Sequence, residues 1–151
     1  MLIFALRHAD RASENIDALS DAGNVRAELL ARMLAPSGIK HAYCSDAKRT
    51  QETIAPLKAL LGGGLTVVEF PIGDDGVDGH VQAIVTALRA LPADSTAAVI
   101  GHTNTIDVII KALTNKTIEP IGPDEFDKLF VLSIPAASPS LTLLKYGAAT
   151  P

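Results

Sequence analysis

Four side chains of this 151-residue chain are of types that together bind and transfer a compact anion: Arg7, His8, Arg49 and His102. A guanidinium offers planar paired donors that match phosphate geometry, which a lysine does not. A neutral imidazole can attack phosphorus in line and become a phosphohistidine while nearby cations hold the transition-state charge. Arg7-His8 directly follows Leu2 to Leu6, an apolar run of the length expected for a strand buried on both faces. A cation and an imidazole at the end of such a strand are costly unless an anion meets them. Taken alone, the pair fits the start of a solvated loop better. What separates the readings is where the other strands end.

Arg11 to Ser20 is polar and without period, and reads as a loop. Ser20-Asp21 is a helix cap, and Val25, Leu29, Leu30, Met33 and Leu34 recur at helical spacing up to the stop at Pro36-Ser37-Gly38. Ile39 to Cys44 reads as a second strand, followed by a second cap at Ser45-Asp46. The next helix carries Arg49, Thr50 and Thr53 early, then Ile54, Leu57, Leu60 and Leu61 on its apolar face. Pro56 should kink or divide it, and Gly62-Gly63-Gly64 should end it.

Leu65 to Phe70 is a third strand and Pro71 to Gly79 a loop. Val81, Ile84, Val85, Leu88 and Leu91 mark a third helix. Thr96 to Ile100 is a fourth strand ending at Gly101-His102, before a helix with Ile106, Ile109, Ile110 and Leu113 inward. After an excursion from Thr114 to Lys128, Leu129 to Ile134 and Leu141 to Tyr146 read as an antiparallel hairpin around Pro-Ala-Ala-Ser-Pro.

Strands alternating with helices imply right-handed crossovers: an α/β fold, a three-layer α/β/α sandwich with a mainly parallel sheet and an antiparallel edge. Every strand-to-helix loop then opens on one edge of the sheet, where ligands bind in such folds. Arg7-His8, the Ser45 to Arg49 segment, the Asp74-Asp75 loop and Gly101-His102 all emerge there. The shared edge makes a candidate phosphate pocket, with helix N-termini adding backbone donors.

Leu6-Arg7-His8-Ala9-Asp10 resembles the signature of the histidine phosphatase superfamily, which includes the phosphoglycerate mutases. Three further stretches match in order. They are Leu19-Ser20-Asp21-Ala22-Gly23 with Arg26-Ala27, Tyr43 to Thr53 (YCSDAKRTQET), and Val99 to Thr105 (VIGHTNT). The resemblance spans roughly residues 1–115 and is strongest to small bacterial members, with Glu125 to Phe130 (EFDKLF) resembling their tail. Single-domain phosphohistidine phosphatases of the SixA type are of related size. The resemblance implies that His8 becomes phosphorylated and that Arg7, Arg49 and His102 clamp the phosphoryl oxygens. Backbone groups near Thr103 and Asn104 would complete the pocket, with no metal or other cofactor. His8, His41, His80 and His102 agree, since no pair has zinc-ligand spacing. Ala9, Asp10 and Cys44 depart from the usual glycine, glutamate or glutamine, and serine.

Larger members of the superfamily protonate the leaving oxygen with an acidic residue, often after the third strand. That loop holds Asp74, Asp75 and Asp78 here, without a donor motif, so Asp74 or Asp75 is a candidate acid and loop solvation the alternative. A site without a strong acid suits phosphohistidine, acyl phosphate or aryl phosphate substrates, whose leaving groups depart readily. Ser13 and Asn15 are candidate substrate-loop residues. His41 and His80 are expected at the surface, Cys44 in the core rather than as a redox thiol, and Asp124 to Asp127 in a solvated turn or helix start.

The length suits one domain, residues 1–151, with one good-sized core. Hydrophobic residues at 48% and charged residues at 20% describe a soluble globular chain. A formal charge of −4 with no basic run argues against nucleic acid as partner, and no apolar stretch is long enough for a bilayer. The apolar start lacks a basic leader, so the cytoplasm is the default compartment, with a trimmed leader still compatible. A lone cysteine allows no internal disulfide. The leading expectation is a metal-independent phosphatase acting on a phosphorylated small molecule or phosphoprotein. A phosphoglycerate mutase-type phosphotransferase and a weakly catalytic phospholigand-binding module are the alternatives. Substrate identity and oligomeric state are not set by the sequence.

Overall fold

The computed structural model describes residues 1–135 and 137–151. In chain order the elements are β1 (Leu2–Arg7), β2 (Arg11–Ser13), β3 (Ile16–Leu19), α1 (Asp21–Leu34), β4 (His41–Cys44) and α2 (Lys48–Leu61). They continue with β5 (Thr66–Glu69), α3 (Gly76–Arg89), β6 (Thr96–Gly101), α4 (Ile106–Thr114), β7 (Lys128–Ser133) and β8 (Ser140–Lys145). The main sheet has the order β5-β4-β6-β1-β7-β8. The pairs β5–β4, β4–β6 and β6–β1 are parallel, whereas β7 runs antiparallel to both β1 and β8. This is the expected sheet with its antiparallel edge. The Pro135 to Pro139 turn includes residue 136, which lies outside the described residues.

Two cores follow from the period-2 alternation of strands covered on both faces. Ile3 and Ala5 of β1 and Ala97 and Val99 of β6 pack with Ile84, Leu88, Ile106 and Ile110 of α3 and α4. Leu6, Ala98 and Ile100 pack on the other face with Leu30, Leu34, Ile54 and Leu57 of α1 and α2. No helix is long and apolar enough to cross a membrane among the described residues.

Several local expectations are corrected. Residues 11–19 are not a loop but a two-stranded hairpin, β2–β3. On α1 the inward face is Gly23, Arg26, Ala27, Leu30, Ala31 and Leu34, leaving Val25 and Met33 exposed. Pro56 does not divide α2; Leu60, expected on its apolar face, is exposed. Helix α3 begins three residues before Gly79, so His80 lies one full turn inside it and is buried rather than on the surface. Ser45-Asp46 does not cap α2. Ala47 holds that position without a side-chain bond, and the Asp17 carboxylate of β3 accepts from the backbone N–H of Lys48 (2.9 Å) and Arg49 (3.2 Å).

The cap of α1 is as expected: Ser20 Oγ accepts from Gly23 N at 3.1 Å. Gly23 also faces the segment after β1, where an added Cβ would lie 2.0 Å from the Asp10 carbonyl oxygen. Asp10 is fixed from the other side, accepting from Arg26 Nε at 2.6 Å, while Arg26 donates to the Tyr146 (2.6 Å) and Ala148 (2.9 Å) carbonyls. The segment leaving β1 is thus clamped to α1 and the carboxyl-terminal tail. Glycine-to-alanine inside a helix normally stabilises by about 1 kcal/mol. At Gly23 the sign should reverse, with Gly23→Ala costing about 2–4 kcal/mol because backbone must move. Urea unfolding checks this, and a variant as stable as wild type contradicts the close approach.

Candidate active site

Parallel pairing aligns Arg7 of β1 with Gly101 of β6, and His8 N donates to Gly101 O at 2.9 Å beyond the last ladder pair. His8 and His102 therefore leave neighbouring strands at the same edge, with ring centroids 5.6 Å apart. An added Cβ on Gly101 would sit 2.6 Å from Thr105 Oγ1, so glycine lets the chain turn tightly into α4. Thr105 Oγ1 closes that turn by accepting from His102 N at 2.8 Å.

A cleft of about 410 Å³ opens at this edge, lined by Arg7, His8, Arg11, Arg49, Ile72, His102, Thr103, Asn104 and Pro123. All six expected phosphate-site residues border it. Ser13 and Asn15 do not, and both are exposed. Asp74 and Asp75 do not either. The loop after β5 presents Ile72 instead, whose N–H donates to Asp46 Oδ1 at 3.4 Å, and Asp75 sits at the start of α3. None of the lining residues carries a carboxylate.

The imidazole tautomers follow from their partners. His8 Nδ1 lies 2.8 Å from the Ala9 carbonyl, which only accepts, so Nδ1 carries the proton and Nε2 keeps a lone pair. Arg49 Nη2 only donates, so His102 Nδ1, 3.3 Å away, is the bare nitrogen. His102 Nε2–H then donates to Ser45 Oγ at 2.9 Å. Ser45 passes its own proton to Thr50 Oγ1 (3.1 Å), which donates to the Ala47 carbonyl (2.7 Å). A buried, one-directional chain fixes the second histidine.

Burial first, then Arg7, His102 and Arg49, hold His8 well below the ordinary histidine value, at about 3. Burial and Arg49 hold His102 at about 4. Both rings are neutral near pH 7. Arg7 is lowered to about 10 by burial and then by Arg11.

The arginines are held as firmly. Arg7 Nη1 donates to the carbonyls of Gly122 (3.0 Å), Pro123 (2.7 Å) and Glu125 (3.2 Å), and its guanidinium lies 4.0 Å above the Phe126 ring. Phe126 also packs 5.8 Å from His8, and Asp127 is buried beside Lys145. Asp124 is exposed in a turn, as expected, whereas Phe126 and Asp127 are buried, with Phe126 packed behind Arg7 and His8. Arg49 Nη1 donates to Asp17 Oδ1 at 2.7 Å. Thr53 Oγ1 accepts from Ala9 N (2.9 Å) and donates to the Arg49 carbonyl (2.7 Å), tying the His8 segment to α2. Arg7 and Arg49 each keep a buried Nε without a partner.

Residues 5–71 match the sequence model of the histidine phosphatase superfamily (branch 1). Solved structures share the fold of the chain over nearly its whole length. The protein histidine phosphatase SixA complexed with tungstate is 18% identical at a TM-score of 0.71, with 96% of this chain and 97% of that one covered. A candidate phosphohistidine phosphatase SixA from Agrobacterium tumefaciens is 18% identical at 0.69, covering 97% of both chains. One from Nakamurella multipartitia is 25% identical at 0.66, covering 98% and 96%. No curated protein sequence matches the chain.

Sequence reasoning missed Arg11 on the cleft, Ser45 and Thr50 behind His102, Asp17 behind Arg49, and the Phe126 packing. His80 is a further buried histidine, its Nδ1–H donating to the Phe70 carbonyl at 2.7 Å. Cys44 is buried as expected, its thiol pushed up to about 11 by burial and Glu69.

Two outcomes follow for the histidines. Their folded pKa values lie below the 6.5 of the free side chain, so the unfolded chain binds protons more readily. Their contribution is intact above pH 6.5 and is lost as pH falls toward 4 and 3. Stability should drop by about 2 kcal/mol per histidine between pH 6.5 and 5, and the His8→Asn, His102→Asn double variant should lose that slope; a flat wild-type profile contradicts the burial argument. Ser45→Ala strands the His102 Nε2 proton and should lower kcat/KM by roughly tenfold. Unchanged turnover would show that the chain behind His102 does not matter.

Proposed function

We propose that this protein is a metal-independent phosphatase that works through a covalent phosphohistidine on His8. The observation that carries the reading is the His8 ring. Its Nδ1–H is tied to the Ala9 carbonyl, leaving Nε2 as a lone pair on a neutral imidazole in a cleft lined by Arg7, Arg49 and His102. An oxyanion in this cleft meets the guanidinium groups of Arg7 and Arg49.

His8 Nε2 attacks phosphorus as the bond to the leaving group breaks, and the Arg7 and Arg49 cations offset charge on the equatorial oxygens. The Nδ1–H bond to Ala9 steadies the positive charge that the ring gains when Nε2 is phosphorylated. Water then attacks phosphorus, the P–N bond breaks, and His8 recovers its lone pair. The proton lost by water leaves on the released orthophosphate. Similarity to structures named as phosphohistidine phosphatases, one of them complexed with tungstate, supports an oxyanion site of this kind.

The acid-free lining favours a substrate class. An alkoxide leaves poorly without a proton, and Asp74 and Asp75 stand outside the cleft. A phosphoimidazole already protonated on its ring, which leaves as neutral imidazole, an acyl phosphate or an aryl phosphate needs no strong acid from the protein, so these are the substrates the site suits.

Rapid quench with a ³²P-labelled phosphohistidine peptide should trap acid-labile, base-stable phosphate on the wild type, and His8→Ala should lose activity by roughly a thousandfold or more. Binding without turnover in both proteins would instead identify a phospholigand-binding module. Simple alkyl phosphates cleaved as fast as the phosphohistidine peptide would overturn the substrate class.

A further inference from the structure

Three guanidinium groups border the cleft, yet only two have a fixed place in the site described above. Arg7 is tethered to the 122–125 carbonyls and Arg49 to Asp17. Arg11, the first residue of β2, is the third. Its ion pair is with Glu14, an exposed side chain, at 3.4 Å. A contact of that length at the surface contributes little and exchanges readily.

The backbone under Arg11 is nevertheless well anchored. Arg11 pairs with Leu19 across the β2–β3 hairpin, and Leu19 N donates to Glu52 Oε2 of α2 at 2.8 Å. Asp17 of the same hairpin accepts from the first N–H groups of α2. A fixed hairpin therefore holds a loosely partnered cation at the rim of the cleft.

Charge sharpens the point. Both histidines are neutral and no lining residue is acidic, so the cleft walls carry three positive charges, Arg49 offset by Asp17 and Arg11 only by the exposed Glu14. Arg11 is also the leading charge that opposes protonation of Arg7, after burial. A phosphoryl dianion between Arg7 and Arg49 leaves Arg11 with only its surface partner, Glu14.

We propose that Arg11 forms a second anion subsite, and that the substrate carries an acidic group, carboxylate or phosphate, beside the phosphoryl group taken by His8. This rests on the reading of the cleft as the phosphoryl site and extends it to the rest of the substrate. Arg11 recognises the second anion by displacing Glu14, and takes no part in bond breaking. One-headed phosphates fill the inner half of the cleft only.

Pyrophosphate and orthophosphate are suitable probes, because they differ by one linked anionic group. Calorimetry is run with His8→Ala present in every protein compared, so that pyrophosphate is bound and not cleaved. With no further change, the protein should bind pyrophosphate at least about tenfold more tightly than orthophosphate, and Arg11→Gln should reduce that ratio about tenfold. Arg32→Gln removes the same charge from α1, outside the cleft, and should leave the ratio unchanged. Glu14→Gln releases Arg11 and should raise the ratio. An equal ratio with and without Arg11→Gln overturns the subsite, as does an equal fall in Arg11→Gln and Arg32→Gln, which would reflect net charge alone. A wild type that cleaves no phosphohistidine, acyl phosphate or aryl phosphate, beside an Arg11-dependent ratio, would contradict the catalytic reading and leave the subsite standing.

Discussion

The parallel pairing of β1 with β6 is the constraint on which the site depends. It sets Arg7 opposite Gly101, and one further backbone bond, His8 N to Gly101 O, carries the alignment past the sheet edge. Two histidines far apart in the chain become neighbours because their strands are neighbours of the same direction. A one-residue slip would turn the alternating core residues of β1 to the wrong face, so the two apolar cores that fix the register also fix the imidazole pair.

Burial then sets the chemistry. Rings held this deep stay neutral, as a nucleophilic nitrogen requires, and their tautomers are dictated by groups that can only accept or only donate. The arginines show a similar division of labour within one side chain. Arg7 spends one nitrogen on three carbonyls, and Arg49 spends one on the Asp17 carboxylate that also caps α2. Positioning and charge come from the same residues, so truncating either would alter the shape of the cleft as well as its field.

Much of this was legible in the sequence, for physical reasons. Leu2 to Leu6 and Thr96 to Ile100 are runs that only a doubly covered strand accommodates, and both end in the residues that meet at the edge. The β2–β3 hairpin was not legible, because its polar residues have no period and its bonds come from Glu52, Lys48 and Arg49 of a distant helix. Arg11 was hidden with it. His80 was misplaced because α3 starts at Gly76, which turns that residue inward with Val81 and Ile84. Phe126 and Asp127 looked solvated because their partners, Arg7 and Lys145, lie far away in sequence.

The absence of an acidic group from the cleft lining connects geometry to substrate. What a phosphatase cannot do by proton donation it must leave to the chemistry of its leaving group, and the aspartates nearest in sequence are drawn away by the start of α3 and by the Ile72–Asp46 contact. The most direct test is a crystal structure of the wild-type protein soaked with orthovanadate. Vanadium bonded to His8 Nε2, with its oxygens on Arg7 and Arg49, is the predicted result. Vanadium bonded to another side chain, or held in the cleft with His8 turned away, would contradict it.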